Sequence, residues 1–128
     1  MKKVFLILML LCMMLLYVFQ RYHHQTTIND IKDFLGIQSI KKIEILKKGS
    51  TRIPPSDYMI LKLGNTISRK QLNNYKKTTP GAFGLSSKYF QLNKPAFYIK
   101  KYTQRKGVLY QEALIQGRNV FYNVVYTN

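Results

Sequence analysis

The chain has 128 residues, 46% of them hydrophobic, and carries 21 Lys+Arg against 5 Asp+Glu for a formal net charge of +16. That length excludes a second domain of ordinary size, and the single cysteine excludes an internal disulfide. The charge attracts anions without saying which, so nucleic acid, lipid headgroups, wall polyanions and acidic proteins all qualify at this level.

The first feature along the chain is Val4 to Phe19, sixteen consecutive uncharged residues between Lys2-Lys3 and Gln20-Arg21. As a helix rising about 1.5 Å per residue it covers about 24 Å, and Gln20 to Tyr22 as snorkelling flanks bring it near the bilayer's hydrocarbon thickness of about 30 Å. The expectation is therefore a single signal-anchor transmembrane helix over 1–22, a juxtamembrane linker over 23–27 and a basic extracytoplasmic domain over 28–128. A cleaved secretory signal fits less well, because no small residue follows the run before Thr26. A lipid-modified Cys12 fits poorly too, since Met9-Leu10-Leu11 stand where a lipoprotein leader has small residues, and Cys12 reads as apolar filler. Lys2 and Lys3 favour a cytoplasmic N-terminus and place the rest of the chain outside the cell membrane. His23-His24 is the only histidine pair, and adjacent residues point in different directions, so no metal site is expected.

Beyond Arg21 lie eighteen of the 21 basic residues and all five acidic ones. Thr27 caps a predicted helix over 28–35, with Ile28, Ile31 and Leu35 on one face and Gly36 as its stop. A strand is predicted over 39–47, with Ile43 and Ile45 on one side, and Pro54-Pro55 interrupts the connection that follows. Residues 57–63 alternate and place Met59, Leu61 and Leu63 together as a second strand. Ser68 or Thr66 caps a helix predicted to run to Lys77, with Leu72 and Tyr75 inward. The stretch 78–87 holds Pro80-Gly81 and Gly84 and reads as a loop; it lacks the Lys-Ser/Thr ending of a phosphate-binding loop. Its apolar members Phe83 and Leu85 either tuck under the sheet or face a partner.

The last third reads as strands over 88–92, 97–103, 108–115 and 120–126. A four-residue loop at 104–107 and a glycine-first turn at Gly117-Arg118 join the last three into an antiparallel meander. Pairing Thr103 with Val108 and Ile115 with Val120 collects Phe97, Ile99, Lys101, Tyr110, Glu112, Leu114, Phe121 and Val125 on one face. The opposite face takes Tyr98, Lys100, Tyr102, Leu109, Gln111, Ala113, Tyr122, Val124 and Tyr126. Phenylalanine has no hydroxyl to satisfy, so the first face is assigned to the core with the helices upon it, and Lys101 is the expected partner of Glu112. The fold class expected is α+β, two short helices packed on a mostly antiparallel sheet behind the anchor.

No arrangement of nucleophile, acid–base pair or metal ligands emerges, so neither catalysis nor a cofactor is expected. The expectation is a non-catalytic binding or accessory protein whose outward face, built from Tyr98, Lys100, Tyr102, Tyr122 and Tyr126, meets a protein or an anionic envelope component. A nucleic-acid-binding module using the same tyrosines for stacking is the alternative, weakened by sixteen lysines against five arginines. Electrostatic association with a membrane surface, without a discrete ligand, is the second alternative. Oligomeric state is not legible.

Overall fold

The computed structural model describes residues 2–23, 27–102 and 107–127. Its first element is helix α1, Lys2–His23, a Leu- and Met-rich run without glycine or proline, whose apolar side chains from Val4 to Tyr17 are exposed. Among the described residues no helix is long and apolar enough to cross a membrane. The transmembrane segment expected at 1–22 is thereby corrected. Its uncharged run of sixteen residues reaches only about 24 Å, and the polar flanks Gln20-Arg21 do not extend the apolar length. The orientation argued from Lys2 and Lys3 loses its premise with it. The linker residues 24–26, His24 among them, and the side chain of His23 lie outside the described residues, as do Thr103 and residues 104–106 of the hairpin loop expected at 104–107.

The remainder is a small α+β domain with six antiparallel strands in the order β1-β2-β6-β5-β4-β3. The strands are β1 Ile43–Arg52, β2 Pro55–Leu63, β3 Lys76–Thr78, β4 Ala96–Tyr102, β5 Val108–Gln116 and β6 Asn119–Tyr126. Helix α2, Ile28–Leu35, begins with a reciprocal cap: Asp30 N–H donates to Thr27 Oγ1 at 3.3 Å and Thr27 N–H donates to Asp30 Oδ2 at 3.0 Å. It ends at Gly36, whose φ of 66° only glycine adopts without strain. Ile31 and Leu35 are buried and join Ile37, Ile40, Ile67 and Leu72 over one sheet face.

That face is the main core. Met59, Leu61 and Leu63 of β2 stand there as expected, beside Ala113 and Ile115 of β5 and Val120, Tyr122 and Val124 of β6. At roughly 1.5–3 kcal/mol for each large apolar side chain removed from water, this cluster is the chief favourable term in folding. The opposite face is covered over only part of its area, by the irregular segment 79–95. Here Phe90 is buried and Leu85, Tyr89 and Leu92 pack with it on Ile60, Ala96 and Leu114.

The helix expected to run to Lys77 is shorter: α3 is Arg69–Leu72, capped by Ser68. Asn73-Asn74 are poor helix formers, and Lys76 to Thr78 instead pair with β4 as an edge strand. The strand expected over 88–92 does not form. The Gln91 N–H donates to Gln116 Oε1 at 2.8 Å, Gln116 Nε2 donates to the carbonyl of Gln91 at 2.9 Å, and Asn119 Nδ2 donates to the carbonyl of Tyr89 at 2.5 Å. Side chains of the β5–β6 turn thus satisfy backbone groups that a ladder would otherwise have taken. The turn itself is as expected, with Gln116 opposite Asn119 and Gly117 at φ 61°.

The face assignment requires the main correction. β5 and β6 pair as expected from Tyr110 onward, with Ile115 opposite Val120. β4 is slipped by one residue: Phe97 lies opposite Ile115 and Tyr102 opposite Tyr110. The β5–β6 ladder separately carries a bulge between Val108 and Tyr110. A slip of one sends every side chain of a strand to the other face. Phe97 and Ile99 therefore pack against the α2 cluster, whereas Leu114 and Phe121 belong to the opposite face. The core under α2 is the face that holds Tyr122, not the phenylalanine-rich one.

Candidate functional site

Cross-strand register builds a set of parallel rows on the face turned away from α2. One row runs Ser56, Val125, Tyr110, Tyr102, and the next runs Tyr58, Asn123, Glu112, Lys100. A third runs Ile60, Phe121, Leu114, Tyr98 and ends on Lys76 of β3. Segment 79–95 packs over the third row, where Ile60 and Leu114 are buried, while Lys100 and Tyr102 of the first two rows stay exposed.

At the centre stands Glu112. Its Oε2 accepts from the Tyr98 hydroxyl at 2.6 Å and its Oε1 from Asn123 Nδ2 at 3.0 Å. Lys100, directly across the β4–β5 pair from Glu112, replaces Lys101 as the nearest lysine in register. Lys101 projects to the other face, its Nζ 6.0 Å from the centroid of Phe34. The Lys100 ammonium lies 4.1 Å from the Tyr110 ring centroid and 5.0 Å from that of Tyr102, and those two rings meet edge to face at 5.9 Å. Phe83 stacks on Tyr98 with centroids 4.6 Å apart and remains 39% exposed. Leu85 packs under the sheet, one of the two roles foreseen for that loop, and Phe83 stands at the rim on Tyr98.

The electrostatics stabilise the resting protonation states. Burial, then the hydrogen bond and charge of Glu112, push the Tyr98 hydroxyl far above its ordinary value. Hydrogen bonding with Tyr102 raises Lys100. Tyr98 therefore stays neutral and Lys100 stays charged at neutral pH, which suits neither as base or nucleophile.

Of the five residues expected to form one face, Tyr98, Lys100 and Tyr102 come together. Tyr122 lies on the opposite face, 1% exposed, with its ring 5.7 Å from Phe34 of α2. Tyr126 is also on that side, half-buried, and its hydroxyl donates to Asp57 Oδ2 at 2.9 Å. Tyr58, Tyr110, Glu112 and Asn123 take their places. The apolar alternation Phe97, Ile99 in line with Ala113, Ile115 was the signal for them, because it pairs small and branched residues under a helix.

No group of His, Cys, Asp and Glu side chains able to hold a metal ion comes together among the described residues. No protein-family model, curated protein or solved structure matches the chain. The class is defined by the architecture alone, a six-stranded antiparallel sheet covered by helix on one face and by irregular chain over part of the other.

Proposed function

We propose that the domain is a non-catalytic binding module that meets a protein partner, or another anionic partner, through the open part of the sheet face around Lys100, Tyr102 and Tyr110. The observation carrying this reading is Tyr102, which is 72% exposed on a regular strand while its neighbours hold it in place. A rigid tyrosine offers a large contact area at little entropic cost, and a lysine beside it adds long-range attraction. The carboxylates argue against catalysis: Asp30 caps α2, Asp57 accepts from Ser50 and Tyr126, and Glu112 is held by Tyr98 and Asn123.

The nucleic-acid alternative is less well supported by this geometry. One lysine already lies over both rings that would stack bases, exposed Tyr102 and half-buried Tyr110, and Glu112 stands where a phosphate would be repelled. The test is photo-crosslinking from position 102 in cells, comparing the wild-type flanking sequence with Tyr110→Ser. A specific adduct that disappears in Tyr110→Ser, with the thermal midpoint within a few degrees of wild type, is expected. The absence of any specific adduct from position 102 would place the binding surface elsewhere.

A further inference from the structure

The β1–β2 hairpin closes through a tip formed by Ile53 and Pro54 between the paired residues Arg52 and Pro55. Ile53 is 95% exposed, the most exposed large aliphatic side chain of the sheet domain. The tip is held in shape: Thr51 Oγ1 donates to the Pro54 carbonyl at 2.8 Å, and the hydroxyls of Thr51 and Ser56 lie 2.5 Å apart. Ser56 opens the row that passes through Val125 and Tyr110 to Tyr102. The Ile53 tip and Tyr102 thus stand at the same end of the sheet: Ser56 is three strand spacings, or about 14 Å, from Tyr102, and the tip lies three residues, about 10 Å, further along. That span fits within one interface of ordinary size, about 800 Å² on each partner.

Among the described residues, the open charges beside the tip and the rings are of one sign. Arg52 and Lys100 are exposed, while Asp57 and Glu112 are occupied by hydroxyl and amide donors of the chain itself. Apolar knobs that each have a cation beside them match a partner that carries carboxylates beside apolar side chains. A nucleic-acid backbone gives an isolated isoleucine nothing to pack on.

Resting on the binding reading above, we propose that this sheet end, from the Ile53 tip to Lys100, Tyr102 and Tyr110, docks an acidic polypeptide segment that also carries apolar side chains. Ile53 and Tyr102 enter apolar contacts, and Arg52 and Lys100 pair with flanking carboxylates. Because the tip and the rings are already ordered, little conformational freedom is lost on docking.

The test is fluorescence anisotropy with the full chain and three labelled probes: a short peptide alternating glutamate with phenylalanine, the same peptide with serine for phenylalanine, and oligothymidylate. Saturable binding of the first peptide at physiological salt is expected, at least tenfold tighter than the serine peptide, with Ile53→Ser and Tyr102→Ser each weakening it roughly tenfold. Equal affinity for both peptides, or insensitivity to Ile53→Ser, overturns the proposal. Tighter binding of oligothymidylate that depends on Tyr102 overturns the partner class while leaving the surface in place. If Tyr102→Ser and Tyr110→Ser alter none of the three, the surface fails together with the reading beneath it. Thermal midpoints of the variants, expected within a few degrees of wild type, exclude unfolding as the cause.

Discussion

The two faces of the sheet use tyrosine in opposite ways. Under α2, Tyr122 is 1% exposed and packs edge-on against Phe34. On the far face, Tyr102 is 72% exposed and meets a lysine and another tyrosine. The residue type is the same, and the difference lies in what covers the strand. A helix with a continuous apolar stripe covers the first face, and segment 79–95 covers only part of the second. A tyrosine's role is therefore set by the cover it receives, and the cover is decided by strand register.

The sharpest way to break this comparison is to truncate one tyrosine on each face. Tyr122→Ala removes a ring from a filled core and is expected to cost about 3–5 kcal/mol in urea unfolding. Tyr102→Ala is expected to stay within about 0.5 kcal/mol of wild type. Similar losses from both would mean that the faces are not distinct in the way the burial implies.

A second test sharpens the comparison within the open face, where Tyr98 differs from Tyr102 by its bond to Glu112. Burial and Glu112 keep the Tyr98 proton in the folded state, whereas an unfolded tyrosine releases it near 10.0. Above that pH the folded state binds more protons than the unfolded state, so stability falls as pH rises. Tyr75, raised by burial, and Lys100, raised by Tyr102, act in the same direction. Tyr98→Phe is expected to lose about 1 kcal/mol at neutral pH through the missing hydrogen bond and to decline less steeply above pH 10 than wild type. An unchanged alkaline slope, measured by thermal midpoints across that range, would remove Tyr98 from the cause.

Much of the fold was legible where a local rule decides it. Thr27, Asp30 and Gly36 bound α2 by capping chemistry, Met59-Leu61-Leu63 declared their face by alternation, and Gly117 declared its turn. What was not legible depended on non-local register. β4 pairs with β5 one residue away from the register that a four-residue loop gives, and no local propensity announces that slip. That one slip exchanges Phe97 and Ile99 with Tyr98 and Lys100 relative to β5. It therefore separated Tyr122 and Tyr126 from the candidate surface and brought Tyr110 and Glu112 to it. The apolar run of α1 was legible as helix, but its length for crossing a membrane was overestimated by counting polar flanks.

Nitration of the tyrosines in the full chain, mapped by peptide mass spectrometry with and without the glutamate–phenylalanine peptide, probes both faces at once. Tyr102 is expected to react first, Tyr122 only after denaturant is added, and the peptide should slow nitration of Tyr102 and Tyr110 alone. Nitration of Tyr122 at the rate of Tyr102, or a Tyr102 rate unmoved by saturating peptide, would contradict the assignment of one tyrosine to the core and the other to the binding surface.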